Sequence, residues 1–226
     1  MDVKVTEIKA ALCFAADAYD ALIQAVRPGA SEQDLEAALV HAAGGREIGY
    51  DLLSGPRTAG VEGGATLRVL ERGDAVMLDL CLKHGDHWCD VCRTFFLGKP
   101  DPVQQAAYET VLNCFAVVAC QLRDGAGAGE VYKVAKDFLN DRGFVGWMRH
   151  HTGHGIGRTP FEAPVEVPES ADVIHKGDVV TVEIGIYSTG TFGIRVEDDF
   201  LVTPDGAENL WNYPKALVDV TLPWTE

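Results

Sequence analysis

Four acidic residues of this 226-residue chain stand where an acid is costly. Asp79 lies within AVMLDLCL and Glu183 within VVTVEIGIY, both apolar runs rich in strand formers. Asp90 and Glu197 follow 11 and 14 residues later, in HWCDVCRTFFL and TFGIRVEDDFLVT. A carboxylate among Val, Met, Ile and Leu is unfavourable unless it is paired or binds a cation. Four such groups at one place could not all ionise without a strong positive counter-charge. The two pairs also correspond in position. Asp79 sits five residues after Asp74 in Arg72-Gly73-Asp74-x-Val76, and Glu183 five after Asp178 in Lys176-Gly177-Asp178-x-Val180. Any one of these acids alone reads as an outward-facing strand residue or a salt-bridge partner; four at matching positions read as a cation site. His154, in HHTGHGIG, is flanked by glycines that let backbone and imidazole approach an ion. One neutral imidazole with four carboxylates suits two divalent ions of the Mn, Fe, Co or Zn kind better than a structural zinc, which favours Cys and His.

The elements that must position these groups occur twice. Apolar spacing predicts a helix over 6–26, closed by Arg27-Pro28-Gly29, and Ser31 opens a second helix with a Ser-x-x-Asp start. Residues 48–54 read as short and turn-rich. The runs around Asp79 and Asp90 form a hairpin about the turn KHGD, and Lys99-Pro100-Asp101-Pro102 then punctuates the chain. A long amphipathic helix over 103–123, a Gly-rich turn with a shorter helix, a glycine- and histidine-rich stretch and a second hairpin repeat the order. This predicts an internal duplication of about 100 residues. The expected fold is α+β: one domain over 1–226, with pseudo-repeats at about 1–100 and 101–204, each two helices over an antiparallel hairpin.

The formal charge of −15 argues against nucleic acid as a partner, because phosphate binding needs clustered Lys and Arg. No stretch approaches the roughly 18 apolar residues of a membrane span, and the N-terminal residues lack the apolar run of a secretory signal. The six cysteines therefore read as free thiols of a cytoplasmic protein.

SGPRTA, GDAVMLDL with CDVCRTF, HHTGHGIG, VEIGIY and RVEDDFLVT together resemble the pita-bread metallohydrolases, which include methionine aminopeptidase, aminopeptidase P, prolidase and creatinase. The Arg195-Val196-Glu197-Asp198 phrase is more similar to the prolidase and aminopeptidase P branch, although those proteins usually carry an additional N-terminal domain. The resemblance implies a curved antiparallel sheet and a pair of metals that polarises a substrate carbonyl and activates water. It implies that Asp90 and Glu197 bridge the ions, that Asp79 completes one, and that His154 and Glu183 complete the other. It further implies that Glu183 shuttles a proton, that His150 helps bind substrate, and that the chain forms a homodimer. Arg195 and Phe161 are expected to face a small-molecule or short-peptide substrate, and Cys81, two residues from Asp79, to share its face.

Two family histidines are replaced, by Glu62 and Phe161. Losing a donor that stabilises charge at a scissile bond typically costs about 3–4 kcal/mol. Retained ligands with altered neighbours suggest a changed substrate, with Glu62 facing an amine or serving as a base. Otherwise Glu62 sits on a loop and Phe161 fills a pocket. Three functions follow: a dinuclear hydrolase of a small amide or amino-acid-like substrate; a metal-dependent lyase or oxidative enzyme; or a non-catalytic binding module. Among lesser features, Cys89 and Cys92 fall on opposite faces of their strand and make a poor metal pair. His84 and His87 flank a turn and are expected to be exposed. Trp147, Trp211 and Trp224 either wall a pocket or pack in the core.

Overall fold

The structure is a computed structural model and describes residues 2–225. Helix α1 (Val3–Ala25) buries Val5, Ile8, Leu12, Ala15, Tyr19 and Leu22, one stripe at alternating three- and four-residue spacing. Helix α2 (Glu32–Ala43) starts at the expected capping box, with Ser31 and Asp34 satisfying each other's backbone N–H. Helix α3 (Pro102–Ala119) begins on a second box, Asp101 with Gln104, and α4 (Ala128–Asn140) follows. The 103–123 helix thus ends earlier than predicted, in a turn at 120–122.

Seven strands form one curved path in the order β1 (Ile48–Ser54), β2 (Ala75–His84), β3 (His87–Leu97), β7 (Phe192–Thr203), β6 (Val179–Ser188), β4 (His154–Gly155) and β5 (Glu162–Val165). Short strands β8 (Gly206–Asn209) and β9 (Thr221–Leu222) pair with β7 and β3, and α5 (Leu217–Val220) is a single turn before β9. The two hairpins, β2–β3 and β6–β7, lie back to back about the β3–β7 seam, which gives two pseudo-symmetric halves of helices over the sheet. This is the pita-bread arrangement.

Residues 48–54 are strand β1 and not turns. The segment contains Gly49 and Asp51, which depress strand propensity, but all seven residues pair with β2, and that pairing overrides local preference. The seam is short: Cys92 opposite Glu197 is its one registered pair. Arg93, fully buried, clamps it from the helix side. Its guanidinium donates to the carbonyls of Cys92 (2.8 Å) and Glu197 (2.9 Å) and to the Asp198 carboxylate (2.6 Å). His87 is not the exposed turn residue expected. Its Nδ1 lies 2.7 Å from Glu7 of α1, and His84 is half-buried against Phe14, because α1 packs over the hairpin end.

Candidate metal centre

Strand register brings the acids together. Asp51 on β1 is opposite Asp79, Asp79 opposite Cys92, Cys92 opposite Glu197, and Glu197 opposite Glu183. These five residues form one row across five strands, on one face, at about 4.8 Å per strand. Asp90 and Cys81, registered with each other, lie on the same face two residues along their strands.

The imidazoles arrive from the stretch that leads into β4, whose first residue is His154. Glu183 N donates to Thr152 O (2.8 Å) and His154 N to Thr181 Oγ1 (3.2 Å), which fixes this stretch to β6. Gly153 permits the approach, since a Cβ there would run into the Thr181 carbonyl. Gly185 does the same for His150, whose Nε2 and the Tyr187 hydroxyl occupy the place a Cβ would take.

The result is a cavity of about 260 Å³ lined by Asp79, Asp90, His154, Glu183 and Glu197, with Asp51, Glu62, Cys81, His150, His151, Phe161 and Arg195 also on its walls. The five expected ligands and the expected catalytic and substrate residues Glu62, Cys81, His150, Phe161 and Arg195 therefore face one space. His154 Nε2 lies 3.6 Å from Asp90 Oδ2 and 3.8 Å from Glu197 Oε1. Ligand atoms of Asp90, His154 and Glu197, and likewise of Asp79, Glu183 and Glu197, fall within 4.8 Å of one another. Asp90 Oδ1 and both Glu197 carboxylate oxygens are buried without a hydrogen-bond partner among the described residues. Such oxygens are unfavourable unless a cation occupies the space between them. Donor chemistry and orphaned oxygens both fit divalent ions.

The electrostatics agree. Burial, reinforced by Asp79, pushes the Asp90 carboxyl well above the usual carboxylate range, and burial with Asp90 does the same to Glu197. Burial raises Glu183 to about 7 despite the opposing Arg195. Burial and Arg195 lower His151 to about 4. Buried carboxylates that raise one another in this way are the groups a divalent cation stabilises in their ionised form.

Arg195 is more committed than a free substrate contact. Only 4% exposed, it donates from Nε to the Tyr187 hydroxyl (2.7 Å) and from Nη2 to Val61 O (3.0 Å), and it pairs with Asp79 through Nη1. Glu62 is exposed at the mouth and makes no ion pair among the described residues. Phe161 is 49% exposed, its ring 4.4 Å from that of His154 and 5.2 Å from that of His151. Among the described residues no tryptophan lines the cavity; Trp211 is buried and stacks on Tyr213 and over Arg93.

Sequence reasoning missed His151 and Asp51. His151 Nδ1 lies 3.1 Å from Glu183 Oε2, and His150 Nδ1 lies 3.4 Å from Glu183 Oε1. The signal for His151 was its place beside His150. Asp51 was hidden by the turn-like reading of β1. A further buried acid, Glu166, receives a hydrogen bond from Thr152 (2.9 Å) behind the histidine stretch, and burial raises it to about 8.

With this geometry in place, comparison with known proteins is informative. An uncharacterized peptidase, YqhT, of Bacillus subtilis is 29% identical over 222 residues, 96% of this chain and 62% of that protein. A Xaa-Pro dipeptidase of Pyrococcus furiosus is 31% identical over 218 residues, 94% of this chain and 63% of its own length. Among solved structures, the Xaa-Pro dipeptidase from Bacillus anthracis superposes with a TM-score of 0.91 at 31% identity, covering 96% of this chain and 62% of that one. Dipeptidase PepE from Mycobacterium ulcerans gives 0.92 at 28%, covering 99% and 61%. The chain thus spans less than two thirds of the length of each of these relatives. The sequence profile of metallopeptidase family M24 matches residues 6–204, a span that includes every cavity residue named above, and the chain belongs to that family.

Proposed function

We propose that this chain carries the catalytic site of a dinuclear metal-dependent hydrolase that cleaves an amide bond in a short peptide or amino-acid-like substrate. The observation that carries the reading is the group of buried, partnerless oxygens of Asp90 and Glu197, set between Asp79, Glu183 and His154. Those five residues would hold the ions, and Glu197 is the acid whose oxygens belong to both groups of ligand atoms. Bound divalent ions supply Lewis-acid polarisation of a carbonyl and a more acidic water. Glu183, whose carboxylate oxygens lie 3.4 Å from His150 Nδ1 and 3.1 Å from His151 Nδ1, is placed to take a proton and pass it on. His150 is oriented through its Nε2 by the Tyr187 hydroxyl (2.6 Å), which Arg195 also binds. Phe161 and Pro160 form the apolar wall against which a substrate side chain or ring packs. The names of the relatives support dipeptides, including Xaa-Pro, as the substrates to try first.

Elemental analysis of protein purified without chelator should find close to two divalent ions per chain, and Asp90→Ala should remove both metal and hydrolysis. Full activity in chelator-stripped protein contradicts this reading. A second reading keeps the metals but replaces hydrolysis by elimination or oxidation of a small metabolite; the observation favouring it is Phe161, an apolar ring pressed on His154. The double variant Glu62→His with Phe161→His separates the two. A gain of Xaa-Pro cleavage absent from the native chain favours the second reading, and robust native cleavage rejects it.

A further inference from the structure

The ligand row does not stop at Asp79. One strand further out, Asp51 occupies the next place in register, on the same face and wall of the same cavity. Cross-strand partners place their Cβ atoms about 4.5–5.5 Å apart, so this carboxylate stands beside a proposed metal ligand. Its Oδ1 is fixed by the Gly63 N–H (2.8 Å), while Oδ2 accepts no hydrogen bond among the described residues.

The same hydrogen bond positions Glu62. Gly63, after it, is tied to Asp51; Val61, before it, is tied through its carbonyl to Arg195. Val61 itself has φ +74°, an unfavourable conformation for a β-branched residue that persists only when neighbours enforce it. Glu62 is thus held over the cavity by contacts on both sides.

Charge then points to the ligand. Two divalent ions balance the four carboxylates of Asp79, Asp90, Glu183 and Glu197. Arg195, the sole Arg or Lys on the cavity wall among the described residues, is engaged by Asp79, Glu183, Tyr187 and Val61. Among the described residues Asp51 and Glu62 form no ion pair, so the negative charge left in the loaded cavity is concentrated at their end. That the cavity receives a ligand follows independently from the orphaned oxygens of Asp90 and Glu197.

Building on the dinuclear reading above, we propose that Asp51 and Glu62 form an anionic subsite beside the metal centre that seats an ammonium or guanidinium group of the substrate. The enzyme then selects substrates carrying a positive charge close to the carbonyl being attacked, whether an α-amino terminus or a basic side chain. Phe161 and Pro160 cover the apolar part of the same residue.

Four probes of one chain length test this on the metal-loaded protein by calorimetry: hexanohydroxamic acid, norleucine hydroxamate, 6-aminohexanohydroxamic acid and lysine hydroxamate. All share the metal-binding group and differ only in ammonium groups. The amine-bearing probes should bind about tenfold or more tighter than hexanohydroxamic acid, in proportion to a charge contact in a partly desolvated site. Whether norleucine hydroxamate or 6-aminohexanohydroxamic acid gains more tells the α-amino group from the side chain. The variant Asp51→Asn with Glu62→Gln should bind all four probes alike. If the Asp51 change prevents folding, Glu62→Gln alone, at an exposed position, should narrow the preference, and salt should narrow it in the native protein. Equal affinity of the four probes for native protein overturns the subsite and leaves the metal centre standing. A preference that survives in the folded double variant also overturns it. Failure of every probe to bind overturns the metal centre and this subsite with it.

Discussion

Glu197 and Asp198 are neighbours on β7, both with no exposed surface, and they point to opposite faces of the sheet. On the helix side, Asp198 is satisfied by Arg93 (2.6 Å), Asn209 (2.6 Å) and Lys215 (2.6 Å). On the cavity side, neither oxygen of Glu197 has a hydrogen bond among the described residues, and burial together with Asp90 drives its carboxyl well above the usual range. Glu32 follows the pattern of Asp198. Burial works to raise it, yet hydrogen bonds from Thr66, Ser54 and Arg57 overcome this and hold it low. A buried acid is therefore no sign of a site. The informative acid is the one that the protein buries and then leaves without a partner.

This contrast can be broken by mutation. Asp90→Ala should abolish metal uptake and hydrolysis while leaving the metal-free fold no less stable, because it removes one member of a self-repelling cluster; activity assays and denaturant melts check the two halves of that expectation. Asp198→Ala should do the reverse. It strands buried Arg93 and should cost about 3–5 kcal/mol in denaturant unfolding. If Asp198→Ala is benign, the helix-side network is not the clamp inferred for the seam.

Glu166 sharpens the comparison, being a buried acid with one partnered and one partnerless oxygen, yet outside the ligand set. With its folded value raised to about 8, the folded chain retains a proton that the unfolded chain has released above about pH 4.5. Its contribution is present below the unfolded value and is lost as pH rises through the folded one. Melts of native protein and Glu166→Gln should coincide near pH 4. By pH 8 the variant should be ahead, by an amount on the order of 4 kcal/mol. The smallest effect is expected of Lys215→Met. That side chain is 27% exposed, and Arg93 and Asn209 still hold Asp198, so the loss should stay within about 1 kcal/mol in the same unfolding assay.

The ligand set was legible in the sequence because strand periodicity and a repeated phrase fix faces without tertiary knowledge. Asp79 and Glu183 each follow the same opening by five residues, and a hairpin does the rest. The remainder depends on contacts between distant segments. Asp51 joins the row only because β2 imposes strand geometry on a Gly- and Asp-containing segment. The commitment of Arg195 to Asp79, 116 positions away, and the fixing of Glu62 by Arg195 and Asp51 through its neighbours, follow from no local pattern. The strict alternation of faces on β7 was readable, but which face would supply partners to its acids was set by Arg93, Asn209 and Lys215 from three other places in the chain.

Calorimetric titration of chelator-stripped protein with Mn2+ tests the central claim most directly. Filling of two sites per chain is predicted. Folded protein that takes up no ion, from Mn2+ or from Co2+ and Zn2+ titrated in the same way, would contradict it.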